Sequence, residues 1–181
     1  KLHAPNWFIE NQDGSKNPHD EIDNPFRSAE VLQAHVDEGL HYARKNRLPK
    51  PIANFIPEHQ GTLKMGYFFQ KAKEKNLKIN ENDFRYKGPI PQSKETAILM
   101  LADGCEAALR AMNINSSDKE ALETISRIIY SRQKDGQLDN SNISKGEIFL
   151  IKRAFLNVWK RIRHRRIPVS YTHLTLPTIP G

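Results

Sequence analysis

The sequence predicts an all-α fold, and three observations carry that prediction. Apolar residues recur at three- and four-residue spacing through most of the chain, as they do when one face of a helix is buried. Asn-Pro and Ser-x-x-Glu signatures stand where those periodic runs begin. No stretch shows the strict alternation of a half-buried strand. The chain has 181 residues, 38% hydrophobic and 27% charged, which suits one globular domain or part of one.

Residues 1–25 read as loop, with Pro5, Gly14, Pro18 and Pro25 and a short apolar patch at Trp7-Phe8-Ile9. Asn24-Pro25 then opens a helix running to about Lys45, with Leu32, Val36, Leu40 and Ala43 on its inner face and His35 at the edge of that face. Leu48-Pro49 ends it. A short helix over 51–58 leads into Glu58-His59-Gln60-Gly61-Thr62, where Thr62 is expected to cap a third helix bearing Leu63, Tyr67, Phe68 and Ala72. The segment 83–91 is a Pro/Gly-rich loop, unusually aromatic for a linker. Ser93 caps the next helix, with Glu95 in its first turn. Two capping boxes, Ser117-Asp118-Lys119-Glu120 and Ser144-Lys145-Gly146-Glu147, open the last helices, separated by the turn Asp135-Gly136-Gln137-Leu138.

The formal net charge of +7 is concentrated in one place. Lys152, Arg153, Lys160, Arg161, Arg163, Arg165 and Arg166 lie together with no acid among them, so the rest of the chain is near neutral. This basic segment fits a solvated helix end, and it also fits a surface for nucleic acid or lipid. The single cysteine, Cys105, excludes an internal disulfide and reads as a small core residue. No stretch reaches the ~20 apolar residues of a membrane-spanning helix.

The chemistry-bearing candidates are few. The apolar run 97–102 ends on Asp103, and a carboxylate in apolar surroundings calls for a compensating cation such as a metal ion. His35 and His59 stand in similarly apolar contexts on two other segments. A mixed imidazole and carboxylate set suits Mn²⁺, Fe²⁺ or Mg²⁺, although a histidine on an apolar helix face is also a common hydrogen-bonded core residue. Arg85 and Tyr86 offer a fork for phosphate and a stacking face for a base, or else pin their loop to the core with Phe84. Lys94 is a further cation at a helix start. His3, His19, His41 and His164 are expected to be solvated, with His19 near the mouth of the site as the alternative.

On these residues the chain resembles the cytoplasmic catalytic domain of the bacterial seven-transmembrane HD phosphohydrolases, which hydrolyse cyclic di-AMP. The resemblance rests on Trp7-Phe8-Ile9-Glu10-Asn11-Gln12, Asn17-Pro18-His19-Asp20, Ala34-His35-Val36, Glu58-His59-Gln60-Gly61-Thr62, Phe84-Arg85-Tyr86 with Gly88-Pro89, Pro91-Gln92-Ser93-Lys94-Glu95-Thr96-Ala97, Leu101-Ala102-Asp103 and Asp135-Gly136-Gln137-Leu138-Asp139. It implies an HD-domain-like helical bundle holding two divalent metal ions, manganese or iron, that opens the cyclic dinucleotide to linear pApA. His35, His59 and Asp103 would be metal ligands, and Arg85, Tyr86 and Lys94 would face the substrate.

The resemblance also implies what this chain lacks. The family's first histidine and its His-Asp pair would precede Lys1, so the catalytic group is expected upstream. Residues 1–167 would form the C-terminal portion of the domain, weak in metal binding and inactive alone. Gln60 stands where many members carry a second histidine, which thins one metal shell. The tail 168–181 follows Pro168, lacks periodicity and reads as a non-native, adapter-derived translation to be set aside from the fold. The implied partners are a cyclic dinucleotide, a membrane-embedded parent with this domain in the cytoplasm, and a homodimer as a compatible assembly; no nucleic-acid polymer is expected. Two alternatives stand beside this reading: an HD hydrolase of another nucleotide, and a non-catalytic helical module acting through the basic segment. The Leu63-Lys64-Met65-Gly66 that follows Thr62 lacks the Gly-Tyr-Pro signature of the cyclic di-GMP branch.

Overall fold

The computed structural model describes residues 5–8, 17–113 and 115–165. The expectations for His3, for the side chain of His164 and for the tail 168–181 lie outside the described residues. The described chain is helical: α1 (Pro18–Ile22), α2 (Pro25–Lys45), α3 (Lys50–Ala53), α4 (Phe55–Glu58), α5 (Gly66–Glu74), α6 (Lys94–Arg110), α7 (Asp118–Lys134) and α8 (Lys145–Arg165). Short 3₁₀ turns cover Pro5–Trp7 and Glu81–Phe84.

The helix starts follow local chemistry. The Asn24 side chain accepts from the N–H groups of Phe26 and Arg27 at 3.1 and 3.2 Å, and Pro25 occupies the first helical position. Glu120 and Glu147 each reach back to the N–H of their capping serine, at 2.6 and 2.8 Å, closing both capping boxes. Each such cap stabilises its helix by about 1 kcal/mol.

Three elements depart from the sequence-based expectation. Within the segment 1–25 read as loop, Asn17 accepts from His19 N–H at 3.1 Å and opens the helix α1, with Pro18 at its first position. The helix expected over 51–58 is broken at Asn54 into α3 and α4. Thr62 does not cap α5, which starts after Met65. Residues 63–65 instead run alongside 84–86: Met65 N–H donates to Phe84 O at 2.8 Å and Tyr86 N–H to Leu63 O at 3.1 Å. This non-local pairing, an antiparallel bridge between Lys64 and Arg85, outweighs the local capping preference of a threonine.

Two apolar nuclei organise the fold. α6, α7 and α8 enclose Ala97, Met100, Leu101, Cys105, Ile125, Ile129 and Ile151. α2 and α5 enclose Ala29, Phe68, Ala72 and the fully buried Phe84. Cys105 is the core residue its sequence context implies, and burial lifts its thiol to about 11. Between the two nuclei, α4 and its following turn bring His59 to α2 and to the start of α6.

Candidate metal and substrate site

His35 projects from the middle of α2, and His59 is the residue immediately after α4. The His35 Nδ1–H donates to Leu32 O at 2.5 Å. The His59 Nδ1–H donates to Ile56 O at 2.6 Å and to Phe55 O at 3.2 Å. Carbonyl oxygens only accept, so these bonds place the proton of each neutral ring on Nδ1. Each Nε2 then carries its ring's lone pair, and the two Nε2 atoms lie 3.5 Å apart. Two facing lone pairs repel unless a cation lies between them. Backbone-anchored Nδ1–H groups with Nε2 presented outward are how metal-binding imidazoles are held.

The donor set fits a metal ion on this observation. Imidazole–metal bonds of ~2.0–2.1 Å, the zinc value, allow one ion to span a gap of that size. Aromatic edges hold the His35 ring in place: Phe8 lies 5.5 Å and Tyr86 5.9 Å from it, centroid to centroid. Among the described residues no three His, Cys, Asp or Glu side chains are grouped to hold a metal ion.

Asp103 stands apart from the expectation that its apolar run buries it. It is exposed on α6, and so are Ile98 and Leu99, at 39% and 40%. The reason is helical geometry: Ala97, Met100, Leu101 and Cys105 take the inward stripe, so an unbroken apolar run still wraps around to solvent. The carboxylate acts through its field. Burial, and behind it the Asp103 charge, raise the Tyr86 phenol above its ordinary range. The same charge partly offsets the burial that depresses Arg132. Tyr86 thus lies against His35 and within the field of Asp103.

The proposed substrate contacts have partners of their own. The Arg85 guanidinium donates to Glu81 at 2.8 and 3.0 Å, to Thr62 O at 2.8 Å and to Asp135 at 3.4 Å, tying three loops together. Lys94 donates to Glu147 at 2.6 Å, joining the start of α6 to that of α8, and this pairing draws the Glu147 carboxyl down to about 2. In the basic segment, Lys160 pairs with Asp118 at 2.5 Å and Arg163 donates to Ser116 O, so two of those cations fasten α8 to the start of α7.

His19 corrects an expectation outright: it is buried at 7% exposure, not solvated. Its ring sits against Trp7 and Phe68, each 4.9 Å away by centroid, and its Nε2–H donates to Trp7 O at 2.9 Å. Nδ1 has no partner among the described residues, and burial lowers the ring's pKa despite the opposing effect of the Trp7 carbonyl. A histidine whose folded pKa lies below its unfolded one takes up fewer protons folded than unfolded. Its contribution is full above pH ~6.5 and shrinks as pH falls from there towards the folded value. Urea unfolding at pH 7.5 and 5.5 should therefore show a larger acid-side loss of stability for the native chain than for His19→Phe.

Sequence reading passed over Glu58 and Gln137. Glu58 is 2% exposed, and one of its oxygens accepts from Gln92 N–H at 2.8 Å and from the Thr96 hydroxyl at 2.6 Å. Gln137 is 1% exposed; it accepts from Thr62 N–H at 3.0 Å and donates to Thr62 Oγ1 at 2.9 Å. Both residues grip the turn that carries His59. Their sequence signal was membership in the family-like stretches 58–62 and 135–139, which assigned neither a role.

A shallow cavity of about 180 Å³ opens beside His35, bordered by Phe8, Arg27, Glu30 and Glu38. A larger apolar groove between α6 and α8 shares no residue with it. The histidine pair rather than the groove is the candidate reactive centre, because only the former presents convergent polar donors.

No protein-family model matches the chain. It is 45% identical over 172 residues to the uncharacterized protein slr0104 of Synechocystis. It is 38% identical over 168 residues to the cyclic-di-AMP phosphodiesterase PgpH of Bacillus subtilis, and 37% over 167 residues to that of Listeria monocytogenes. Each match covers 92% of this chain and 21–23% of the relative, so the chain spans about a fifth of the length of these curated relatives. The crystal structure of the L. monocytogenes PgpH HD domain in complex with cyclic-di-AMP superposes with a TM-score of 0.84 at 36% identity, over 90% of this chain and 75% of that one. A second structure of that domain gives 0.83 at 35%, over 91% and 76%.

Proposed function

Because this chain belongs to the HD-domain family of the cyclic-di-AMP phosphodiesterase PgpH, we propose that residues 1–167 are the C-terminal portion of a metal-dependent domain that hydrolyses cyclic di-AMP to linear pApA. The observation that carries the reading is the pair of Nε2 atoms facing each other at 3.5 Å, each ring anchored by its Nδ1–H. The family match supplies the substrate class: relatives named cyclic-di-AMP phosphodiesterases, and a related HD domain solved with cyclic-di-AMP.

In this reading His35 and His59 would hold metal through Nε2, and Asp103, exposed on α6 and not grouped with them among the described residues, would have to close on the ion to serve as the carboxylate ligand. The complete domain holds two ions, manganese or iron. Bound metal supplies charge neutralisation on the phosphoryl oxygens and a water acidic enough to attack at neutral pH. The chain's own residues bind and position. Glu58 and Gln137 fix the turn bearing His59, and Tyr86 closes one side of His35. Arg85 would meet substrate by exchanging one of its carboxylate partners for a phosphate, and Lys94 by releasing Glu147. The reading also makes the parent a membrane protein with this domain in the cytoplasm, and among the described residues no helix is long and apolar enough to cross a membrane.

Two imidazoles and one carboxylate underfill two six-coordinate shells, so the chain alone is expected to bind without turnover. The test is Mn²⁺ titration of the chain followed by cyclic di-AMP. Expected are metal-dependent nucleotide binding abolished by EDTA, and a loss of at least about ten-fold in Mn²⁺ affinity in His35→Ala and in His59→Ala. Absence of nucleotide binding, or binding indifferent to EDTA and to both substitutions, would falsify the reading. Salt-sensitive binding to polyanions or anionic vesicles through α8, untouched by the histidine variants, would favour the non-catalytic module instead.

A further inference from the structure

Every residue from Arg44 to Ile52, at the end of α2 and the start of α3, is exposed. Arg44, Lys45, Arg47 and Lys50 are cations, and no acidic residue stands between Glu38 and Glu58. None of the four enters an ion pair among the described residues, whereas Lys160 and Arg163 of the basic α8 are already engaged. Arg44 and Lys45 complement the dipole in the last turn of α2, but Arg47 and Lys50 lie beyond it. The chain turns at Arg47 with φ +53°, and Leu48 N–H donates to Ala43 O at 2.8 Å. A helix closed this way commonly packs the residue after the turn back onto itself. Here that residue, Leu48, stays 41% exposed, and Ile52 is 54% exposed. Pro49 and Pro51 stiffen the segment that presents them.

We infer that this corner, Arg44 to Ile52, is a contact surface for an anionic lipid bilayer. Unpaired long cations meet headgroup phosphates, and aliphatic side chains between them enter the boundary with the acyl chains. The composition of the corner selects this partner. A single-stranded nucleic acid is gripped by aromatic stacking platforms as well as cations, and residues 44–52 include no aromatic. Protein interfaces are depleted in lysine, which supplies two of the four cations here. At 1.5 Å rise per helical residue, His35 stands about 14 Å along α2 from Arg44. A docked chain therefore keeps the histidine pair clear of the headgroups and open to a soluble nucleotide.

The test is co-sedimentation of the full chain with phosphatidylcholine vesicles, with and without phosphatidylglycerol, at low and at physiological salt. Expected is partitioning to the anionic vesicles that weakens with salt. R47Q/K50Q should lose about thirty-fold, the effect of removing two cations from an anionic surface. L48S/I52S should weaken binding with the charge unchanged, and R153Q/R161Q, an equal charge change at exposed positions of α8, should keep it. All these side chains are exposed, so the fold is expected to survive each change, as circular dichroism would show. Insertion is read from an environment-sensitive dye on Ile52→Cys, which labels selectively because Cys105 is buried with a raised thiol pKa. Its emission should shift to the blue on anionic vesicles. Equal partitioning to phosphatidylcholine alone, binding indifferent to R47Q/K50Q, or an unshifted dye overturns the proposal. So does loss of binding in R153Q/R161Q, which puts the contact on α8, and so does an oligonucleotide bound through Arg47 and Lys50 in place of vesicles. Neither metal nor hydrolysis enters these readouts, so the lipid contact and the catalytic reading fail separately.

Discussion

Gly61→Ala is expected to lower the stability of the chain by about 3 kcal/mol and to weaken metal binding at His59 with it. Gly61 lies two residues after His59 with φ +52°, a left-handed conformation that costs a residue bearing a Cβ about 1–2 kcal/mol. Space is lacking as well. A Cβ there would come within 2.5 Å of the Gln137 side-chain oxygen and 2.7 Å of the Met100 methyl. Gln137 cannot retreat without releasing Thr62 N–H and Thr62 Oγ1, both of which it holds from a buried position. Urea unfolding gives the first number. The double variant with Gln137→Ala should lose less than the sum of the two single losses, because the steric part is then shared. A Gly61→Ala chain as stable as the parent would show that the turn relaxes freely and does not position His59.

Glu58→Ala is the second large effect, expected at about 3 kcal/mol. The substitution leaves two donors, the Gln92 N–H and the buried Thr96 hydroxyl, without their shared acceptor at the start of α6. Each buried orphan costs ~1–3 kcal/mol. Glu58→Gln keeps a carbonyl oxygen where both bonds converge and should lose far less. Comparing the two by chemical denaturation separates the bonds from the charge. If Glu58→Gln fell as far as Glu58→Ala, the carboxylate's charge and not its acceptor geometry would be the stabilising feature.

Both predictions concern side chains that local sequence reasoning had no means to single out. The capping boxes at Ser117 and Ser144, the Asn24-Pro25 start and the turn at Asp135-Gly136 were legible because each is satisfied within four residues. His35 and His59 were legible as imidazoles in apolar contexts, and the structure brings them together. The apolar setting assigned to Asp103 was misjudged, since six consecutive apolar residues cover more of a helix than its buried stripe. His19 departs in the opposite sense: Asn17 and Asp20, its polar neighbours in sequence, cap or flank its helix, but its ring packs between Trp7 and Phe68.

The all-α class, most helix starts, the core position of Cys105 and the family are all readable from local sequence. These follow from periodicity, caps and motifs that act over a few residues. The tertiary structure alone decided that Thr62 abandons a cap for Gln137, that Glu58 is a buried anchor, and that the two imidazoles present Nε2 to each other. Those arrangements join residues 24 to 75 positions apart. Nothing in local spacing encodes them; they exist only once the two apolar nuclei have closed and buried polar groups must find partners.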